Sequence, residues 1–445
     1  MSDQPVFTLD IDQNKYLAAG GREIHAILTV EATGAPGTDG AVEAAEVIIV
    51  DASGSMSGEK IAEARRAAQT AVETLRDGVH FAIVSGTHEA IKIFPEGRGM
   101  VRADARTRQQ AWGALNRLDA GGGTAIGKWL RLAAELLADH PGAVRHAILL
   151  TDGQNNEDER TFGAALAHCA GGFVCDSRGV GTDWAPAELR KVADALLGTS
   201  GFIRRPEELA DDFRAMVETT MGKAVAEVAL RIWTPQNGRV RYLKQVSPTL
   251  AELTGMRSPV DQLTGDYPTG AWGAETRVYH LCVEVAPGAV GQEIRGAWVR
   301  LVVPGGGEVL ARGNVLAQWT DDLALSTRVS PGVAHYTGQA ELFDLIQEGL
   351  GARAAGDLDT ATARLGRARV LAEQSGNEET ARLLAKVVEV DPGTGTARLR
   401  RSVDRADEIA LDTGSVRTAR MRGGSGTGTG DPGDPGTSGF RSATG

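Results

Sequence analysis

Three short stretches of this chain carry hydroxyl and carboxylate oxygens where a fold could gather them. The first is Asp51-Ala52-Ser53-Gly54-Ser55, an Asp-x-Ser-x-Ser run directly after the apolar segment Val47-Ile48-Ile49-Val50. The second is Gly121-Gly122-Gly123-Thr124, whose glycines let the backbone turn tightly and present the threonine. The third is Thr151-Asp152-Gly153, again an acid just beyond an apolar run. Small hard cations such as Mg²⁺ or Mn²⁺ prefer six oxygen ligands, and hydroxyls donate to them without cancelling their charge. Taken singly, each residue reads equally well as a turn cap, because Asp and Ser after strands close loops and start helices. Their order and spacing together read as one site.

The elements that must position these loops follow from periodicity. From about residue 43 to residue 222, short apolar runs (46–50, 80–84, 146–150 and 173–176) alternate with helical patterns. Strands alternating with helices require crossover connections and a mostly parallel sheet covered on both faces. The spacing of Ile61, Ala64, Ala68, Val72 and Leu75 predicts a helix with one face on that sheet. Similar patterns predict helices over 106–118, 125–138, 160–170, 186–197 and 206–221, with Pro186 and Pro206 in first turns that tolerate a missing amide. In open parallel sheets ligands bind beyond the carboxyl ends of the strands, which is where the first and third loops fall.

On either side of this unit the period changes to two. Residues 6–33 alternate apolar and polar, and so do 226–233, 239–243, 277–285, 297–303 and 309–317, with turn signals between them. The expectation is an α/β fold: a doubly wound, mostly parallel sheet over 43–222, inserted in or joined to a β-sandwich formed by 223–330, with the strands of 1–40 pairing into it. Residues 331–390 read as a small C-terminal helical appendage, and Ala354-Ala355-Gly356-Asp357 with Ala361, Leu365, Ala368 and Leu371 is similar to a fragment of a tetratricopeptide repeat. Residues 391–445 read as a flexible, largely disordered tail, rich in Gly, Ser, Thr and Pro from 423 onward. Within it, the basic segment 398–422 spaces Leu399, Val403, Ile409 and Leu411 so that it could fold onto a partner.

In this order and on these elements, Asp-x-Ser-x-Ser, the Gly-Gly-Thr loop and Thr-Asp-Gly resemble the von Willebrand factor A-type (VWA) family and its metal-ion-dependent adhesion site, over roughly residues 44–221. The resemblance implies that Ser53 and Ser55 hold the cation through their hydroxyls. It implies that Thr124 does so directly or through water, and that Asp51 and Asp152 act largely through waters and hydrogen bonds. With both carboxylates standing back, the vacant position favours an acidic oxygen of a partner protein. An enzyme would need a base or nucleophile beside the ion, and the three loops supply no His, Cys or Lys except Lys128. The expected function is therefore a non-enzymatic, metal-dependent protein-binding adaptor; the alternative is a hydrolase using the same cation as a Lewis acid.

Other constellations read more plainly. Residues 122–128 match most of a phosphate-binding loop, but Trp129 stands where a Ser or Thr would hold Mg²⁺, and the segment follows a helix instead of a strand. His168, Cys169 and Cys175 fit no paired zinc spacing, and Cys282 reads with them as an idle thiol. The seven tryptophans are scattered and read as packing residues.

The bulk numbers set the limits. A chain of 445 residues with 42% hydrophobic and 24% charged content exceeds one ordinary core and suits several domains. A net charge of −11 argues against a nucleic-acid partner. Three cysteines do not make a disulfide framework. No apolar run approaches the roughly 20 residues of a membrane span, and residues 1–10 carry no secretory pattern, so a cytoplasmic location is expected. By analogy the partners expected are proteins of an assembly or signalling system, such as a Ser/Thr kinase, a phosphatase, a phosphopeptide-binding module or an AAA+ ATPase.

Overall fold

The computed structural model describes residues 5–34, 42–305, 307–391, 396–400 and 402–421. The chain opens with strands β1 (Val6–Gln13), β2 (Tyr16–Ala18) and β3 (Glu23–Thr33). The α/β unit follows as β4 (Ala44–Asp51), α1 (Glu59–Thr74), β5 (His80–Gly86), β6 (Ala90–Phe94), β7 (Val101–Arg102), α2 (Ala105–Asn116), α3 (Ile126–Ala138), β8 (Val144–Thr151), α4 (Glu159–Cys169), β9 (Val174–Val180), α5 (Pro186–Ala195), β10 (Ser200–Ile203) and α6 (Leu209–Met221). Its sheet has the order β10-β9-β8-β4-β5-β6, with β7 also on β5. The first five strands of that order run parallel, while β6 and β7 are antiparallel to β5.

The centre of the sheet explains the apolar runs. Every residue of β4 is buried, as both faces of a parallel sheet are covered by crossover helices. On one side Ile48 and Val50 pack with Ile61, Ala64, Ala68 and Val72 of α1; on the other, Val47 and Ile49 pack with Trp129, Leu130 and Ala133 of α3. Apart from Asp51 at its end, Glu46 is the polar exception on β4. Its carboxylate meets His146 Nδ1 at 2.9 Å, and His146 Nε2 lies 3.1 Å from the half-buried Asp176, so three neighbouring strands share one ionic cluster. Desolvation pulls the His146 imidazole down, but Glu46 and Asp176 together outweigh it and raise its pKa to about 10.

Strands β11 (Val225–Trp233), β12 (Arg239–Ser247), β13 (Ala251–Glu252), β14 (Ser258–Pro259), β15 (Thr264–Trp272), β16 (Glu275–Glu284), β17 (Glu293–Val302) and β18 (Val309–Thr320) complete two further sheets. One has the order β1-β3-β16-β12-β13, the other β14-β15-β11-β17-β18-β2. They enclose a shared core in which Ile24, Leu28 and Val30 of β3 meet Leu230 of β11, Leu281 of β16 and Val299 of β17. The N-terminal strands thus pair with strands more than 200 positions later, and the α/β unit leaves the sandwich between β3 and β11.

The remaining elements are α7 (Leu323–Ser326), α8 (Pro331–Ala354), α9 (Leu358–Gln374), α10 (Glu378–Leu384), β19 (Val388–Val390), β20 (Ala397–Leu399) and α11 (Arg405–Gly414). The reading of 391–445 as a disordered tail is corrected over its described part. β20 pairs with β19, and Leu411 of α11 joins the core of α8 and α9. Ile409 enters the α/β core, Arg353 pairs with Glu408 at 2.7 Å, and Arg190 and Arg204 pair with Asp412 and Asp407. The spaced apolar residues do fold onto a partner surface, and that surface belongs to the same chain. The expected disordered residues 423–445 lie outside the described residues. Among the tryptophans, Trp129, Trp184, Trp272 and Trp319 are fully buried, while Trp112 is exposed. No helix among the described residues is long and apolar enough to cross a membrane.

Candidate metal site

β4 and β8 are neighbours in the sheet, so their carboxyl ends bring the Asp51 and Asp152 loops side by side. Asp51 ends β4 fully buried. Its carboxylate accepts the Ser53 amide at 2.7 Å and the Thr151 hydroxyl at 2.5 Å, which ties the first loop to the third. Burial pushes the Asp51 carboxyl above its ordinary range, against these hydrogen bonds and with the charge of Asp152 adding to the rise. Ser55 Oγ lies 3.0 Å from Ser53 Oγ and donates to Asp152 Oδ1 at 2.6 Å.

The glycine loop reaches the same place through backbone contacts. Gly121 N donates to Ala52 O at 2.7 Å and Gly54 N to Gly122 O at 3.0 Å, locking the second loop against the first. Asn156 accepts the Thr124 amide at 2.8 Å and returns its own amide to Thr124 O at 2.8 Å. Thr124 is buried, and its position relative to the other donors can be read at Gly153. A Cβ built on Gly153 would stand 3.3 Å from Thr124 Oγ1 and 3.4 Å from Ser55 Oγ. The five residues singled out in the sequence therefore converge.

The donor set suits a small hard cation. Neighbouring ligands of an octahedral ion with bonds of about 2.1 Å lie about 3 Å apart, which is the spacing of the two serine hydroxyls. Asp51, Ser53, Thr124 and Asp152 are buried while Ser55 is exposed, so the site opens to solvent at Ser55.

Two basic side chains at the site escaped the sequence reading, which considered only Lys128. Lys60, the second residue of α1, places Nζ 2.5 Å from Asp152 Oδ2 and 3.7 Å from Asp183. Its place in the first helical turn after the Asp-x-Ser-x-Ser loop was the available signal. His88, exposed on the loop after β5, crowds Gly122: a Cβ there would meet His88 Nδ1 at 2.7 Å. Only the three-dimensional adjacency of loops reveals it. Lys128 points away into an ion pair with Glu89 at 2.8 Å. The phosphate-loop segment is likewise occupied otherwise. Ile126 N donates to Asn155 at 3.1 Å and Gly127 N to Glu157 at 2.6 Å, so side chains already take the amides a phosphate would need.

Comparison with known proteins agrees with this architecture. Residues 45–202 match the von Willebrand factor type A domain family, and residues 370–415 the von Willebrand factor type A C-terminal domain family. The structure of a von Willebrand factor type A protein from Catenulispora acidiphila is 51% identical, covers 94% of this chain and 98% of its own, and superposes with a TM-score of 0.90. The ArnB paralog VWA2 from Sulfolobus acidocaldarius shares the fold over 93% of this chain and 98% of its own, at a TM-score of 0.60 and 14% identity. An uncharacterized protein of Synechocystis is 29% identical over 214 residues, 46% of this chain but only 49% of that protein's length. The match to human inter-alpha-trypsin inhibitor heavy chain H4 spans 37% of this chain and 18% of that protein at 30% identity. VWA domains are generally protein-interaction modules. With near-complete coverage at half identity, and with the sheet order and loops described above, this chain belongs to the von Willebrand factor A family.

Proposed function

We propose that the chain is a metal-dependent protein-binding adaptor whose cation, Mg²⁺ or Mn²⁺, is held by Asp51, Ser53, Ser55, Thr124 and Asp152. The observation that carries this reading is the convergence of three hydroxyls and two carboxylates from separate loops on one opening at Ser55. When bound, the ion supplies a coordination position for an acidic oxygen of a partner protein. The chain's own residues do the rest. Ser53, Ser55 and Thr124 present neutral oxygens, Asp51 is clamped by Thr151 and Ser53 so that it orients the first loop, and Asp152 aligns Ser55. Lys60 balances the charge of Asp152 and leaves the mouth more attractive to an anion.

Binding fits the site better than turnover. Lys60 is held between Asp152 and Asp183, the position of a charge-balancing group and not of a free base, and His88 stands at the rim over Gly122. We place the adaptor in the cytoplasm, where three free, buried thiols stay reduced. Kinase, phosphatase, phosphopeptide-binding and AAA+ systems are the partner classes to test. The experiment is affinity capture with the full chain, with and without a chelator and repeated with Ser53→Ala, alongside an assay of generic phosphoester hydrolysis. A partner lost under both treatments, with no turnover, supports the adaptor. A partner set indifferent to both, or turnover abolished by Asp51→Ala, overturns it.

A further inference from the structure

A second cluster of metal-binding side chains lies on the outer face of the first sandwich sheet, built on strands unrelated to the Ser55 opening. Glu23 and His25 are alternate residues of β3 and so share one face. Cys282 on β16 is the direct cross-strand neighbour of His25, and Tyr242 on β12 is the direct neighbour of Cys282 on its other side. A carboxylate oxygen of Glu23, a ring nitrogen of His25 and Cys282 Sγ all lie within 4.8 Å of one another. His25 Nε2 stands 4.0 Å from Glu23 Oε2.

The surroundings are those of a prepared ligand set. His25 Nδ1 lies 3.1 Å from the Tyr242 hydroxyl, which also meets His280 Nε2 at 3.3 Å. A hydrogen bond that anchors one ring nitrogen fixes the imidazole and leaves the other to face the cluster, as outer partners of metal-bound histidines do. The strand itself cannot turn, because Ile24 and Ala26 on its opposite face are buried in the sandwich core. Arg241 takes Glu23 Oε1 at 2.8 Å, so the remaining oxygen is the one turned to His25. Cys282 is buried while Glu23 and His25 are open to solvent, which gives an ion a route in.

We propose that Glu23, His25 and Cys282 form a binding site for one zinc-class divalent cation, with Tyr242 as the residue that positions His25. One oxygen, one nitrogen and one sulfur donor select borderline ions such as Zn²⁺ or Co²⁺ over Mg²⁺ or Mn²⁺. Tetrahedral bonds of about 2.0–2.3 Å set neighbouring ligand atoms roughly 3.3–3.7 Å apart. Closing the cluster from within 4.8 Å therefore needs at most about 1.5 Å of movement, and the exposed Glu23 side chain, 4.0 Å from His25, has the freedom to approach. On binding, the Cys282 thiol becomes a thiolate and its proton passes to water. The fourth position is left to a water molecule.

The test is a Co²⁺ titration of the full chain followed by absorption, with Zn²⁺ calorimetry in parallel. The site predicts one equivalent of Co²⁺ with a near-ultraviolet thiolate charge-transfer band, displaced by Zn²⁺ but not by excess Mg²⁺. Cys282→Ser should abolish the band, and His25→Ala should weaken Zn²⁺ binding at least tenfold. Tyr242→Phe should weaken it by a few-fold, and Arg241→Ala, which frees the second oxygen of Glu23, should tighten it. Asp51→Ala should leave the thiolate band unchanged, which separates this site from the one at Ser55. Absence of a thiolate band, or a band that persists in Cys282→Ser and so arises from Cys169 or Cys175, overturns the proposal. A folded His25→Ala variant that binds Zn²⁺ as tightly as the parent overturns it too.

Discussion

The hydroxyl of Ser55 donates to the carboxylate of Asp152 at 2.6 Å although 97 positions separate them in sequence. One end of this bond is set by the loop leaving β4 and the other by the loop leaving β8, so it records how closely the sheet draws the two loops together. Asp152 is shared: its other oxygen is held by Lys60.

That sharing makes Lys60 a competitor of any cation at the site. Lys60→Met should tighten Mg²⁺ or Mn²⁺ binding by a few-fold to about tenfold, the equivalent of up to ~1.4 kcal/mol, because Asp152 is released and a positive charge removed. The same variant should hold an acidic partner more weakly at saturating metal. Calorimetric titration checks the first effect, and unchanged or weaker metal affinity would contradict it.

Gly153 keeps the space between Thr124 and Ser55 open. Its backbone is not in the left-handed region, so alanine is conformationally acceptable and the effect is local. Gly153→Ala puts a methyl 3.3 Å from Thr124 Oγ1. Metal affinity should fall by about tenfold, ~1.4 kcal/mol, with the urea midpoint hardly changed. A variant that binds metal normally would remove this space from the site.

The Glu46, His146 and Asp176 cluster makes a pH prediction. His146→Leu leaves the buried Glu46 and the half-buried Asp176 without the imidazolium they share and should cost ~3–5 kcal/mol. Because the folded pKa of His146, about 10, lies above its ordinary 6.5, its contribution is full below 6.5 and fades as pH rises through about 10. Asp176 is the opposite case. Burial raises its pKa, but His146, Arg178 and Thr199 outweigh that and hold it well below the ordinary 3.8, so its contribution is full above that value and lost as pH falls below it. The stability gap between parent and variant should be widest between 3.8 and 6.5 and shrink toward pH 10. Urea denaturation across that range checks it, and a gap that grows on the alkaline side would contradict it.

The C-terminal helix α11 should behave as part of the body. Ile409 is 1% exposed and packed in the α/β core, so Ile409→Ala should cost ~2–4 kcal/mol. A loss below ~0.5 kcal/mol by denaturant titration would show that α11 is not docked in solution.

How much of this was legible in the sequence depends on how local each signal is. The parallel sheet and its helices could be read because runs such as Val47 to Val50 and the spacing from Ile61 to Val72 carry their own period. The convergence of the Asp51 and Asp152 loops could be read because their residue types sit at strand ends, and that of the Gly121–Thr124 loop because its glycines run directly into Thr124. β15 was missed: Gly265, Pro268 and Gly270 interrupt its pattern, and the alternation shows only in which of its residues are buried. α11 was missed because Ile409 and Leu411 lie among charged residues that gain meaning only against Arg190, Arg204 and Arg353. Lys60 and His88 show the same limit at the site, where neighbours in space come from different elements.

The central claim is tested most directly by anomalous diffraction from crystals of the full chain grown with Mn²⁺. The account predicts a peak bounded by Ser53 Oγ, Ser55 Oγ and Thr124 Oγ1, absent from Ser53→Ala crystals treated identically. Saturating Mn²⁺ that leaves no peak there, with the three loops ordered as described, would contradict it.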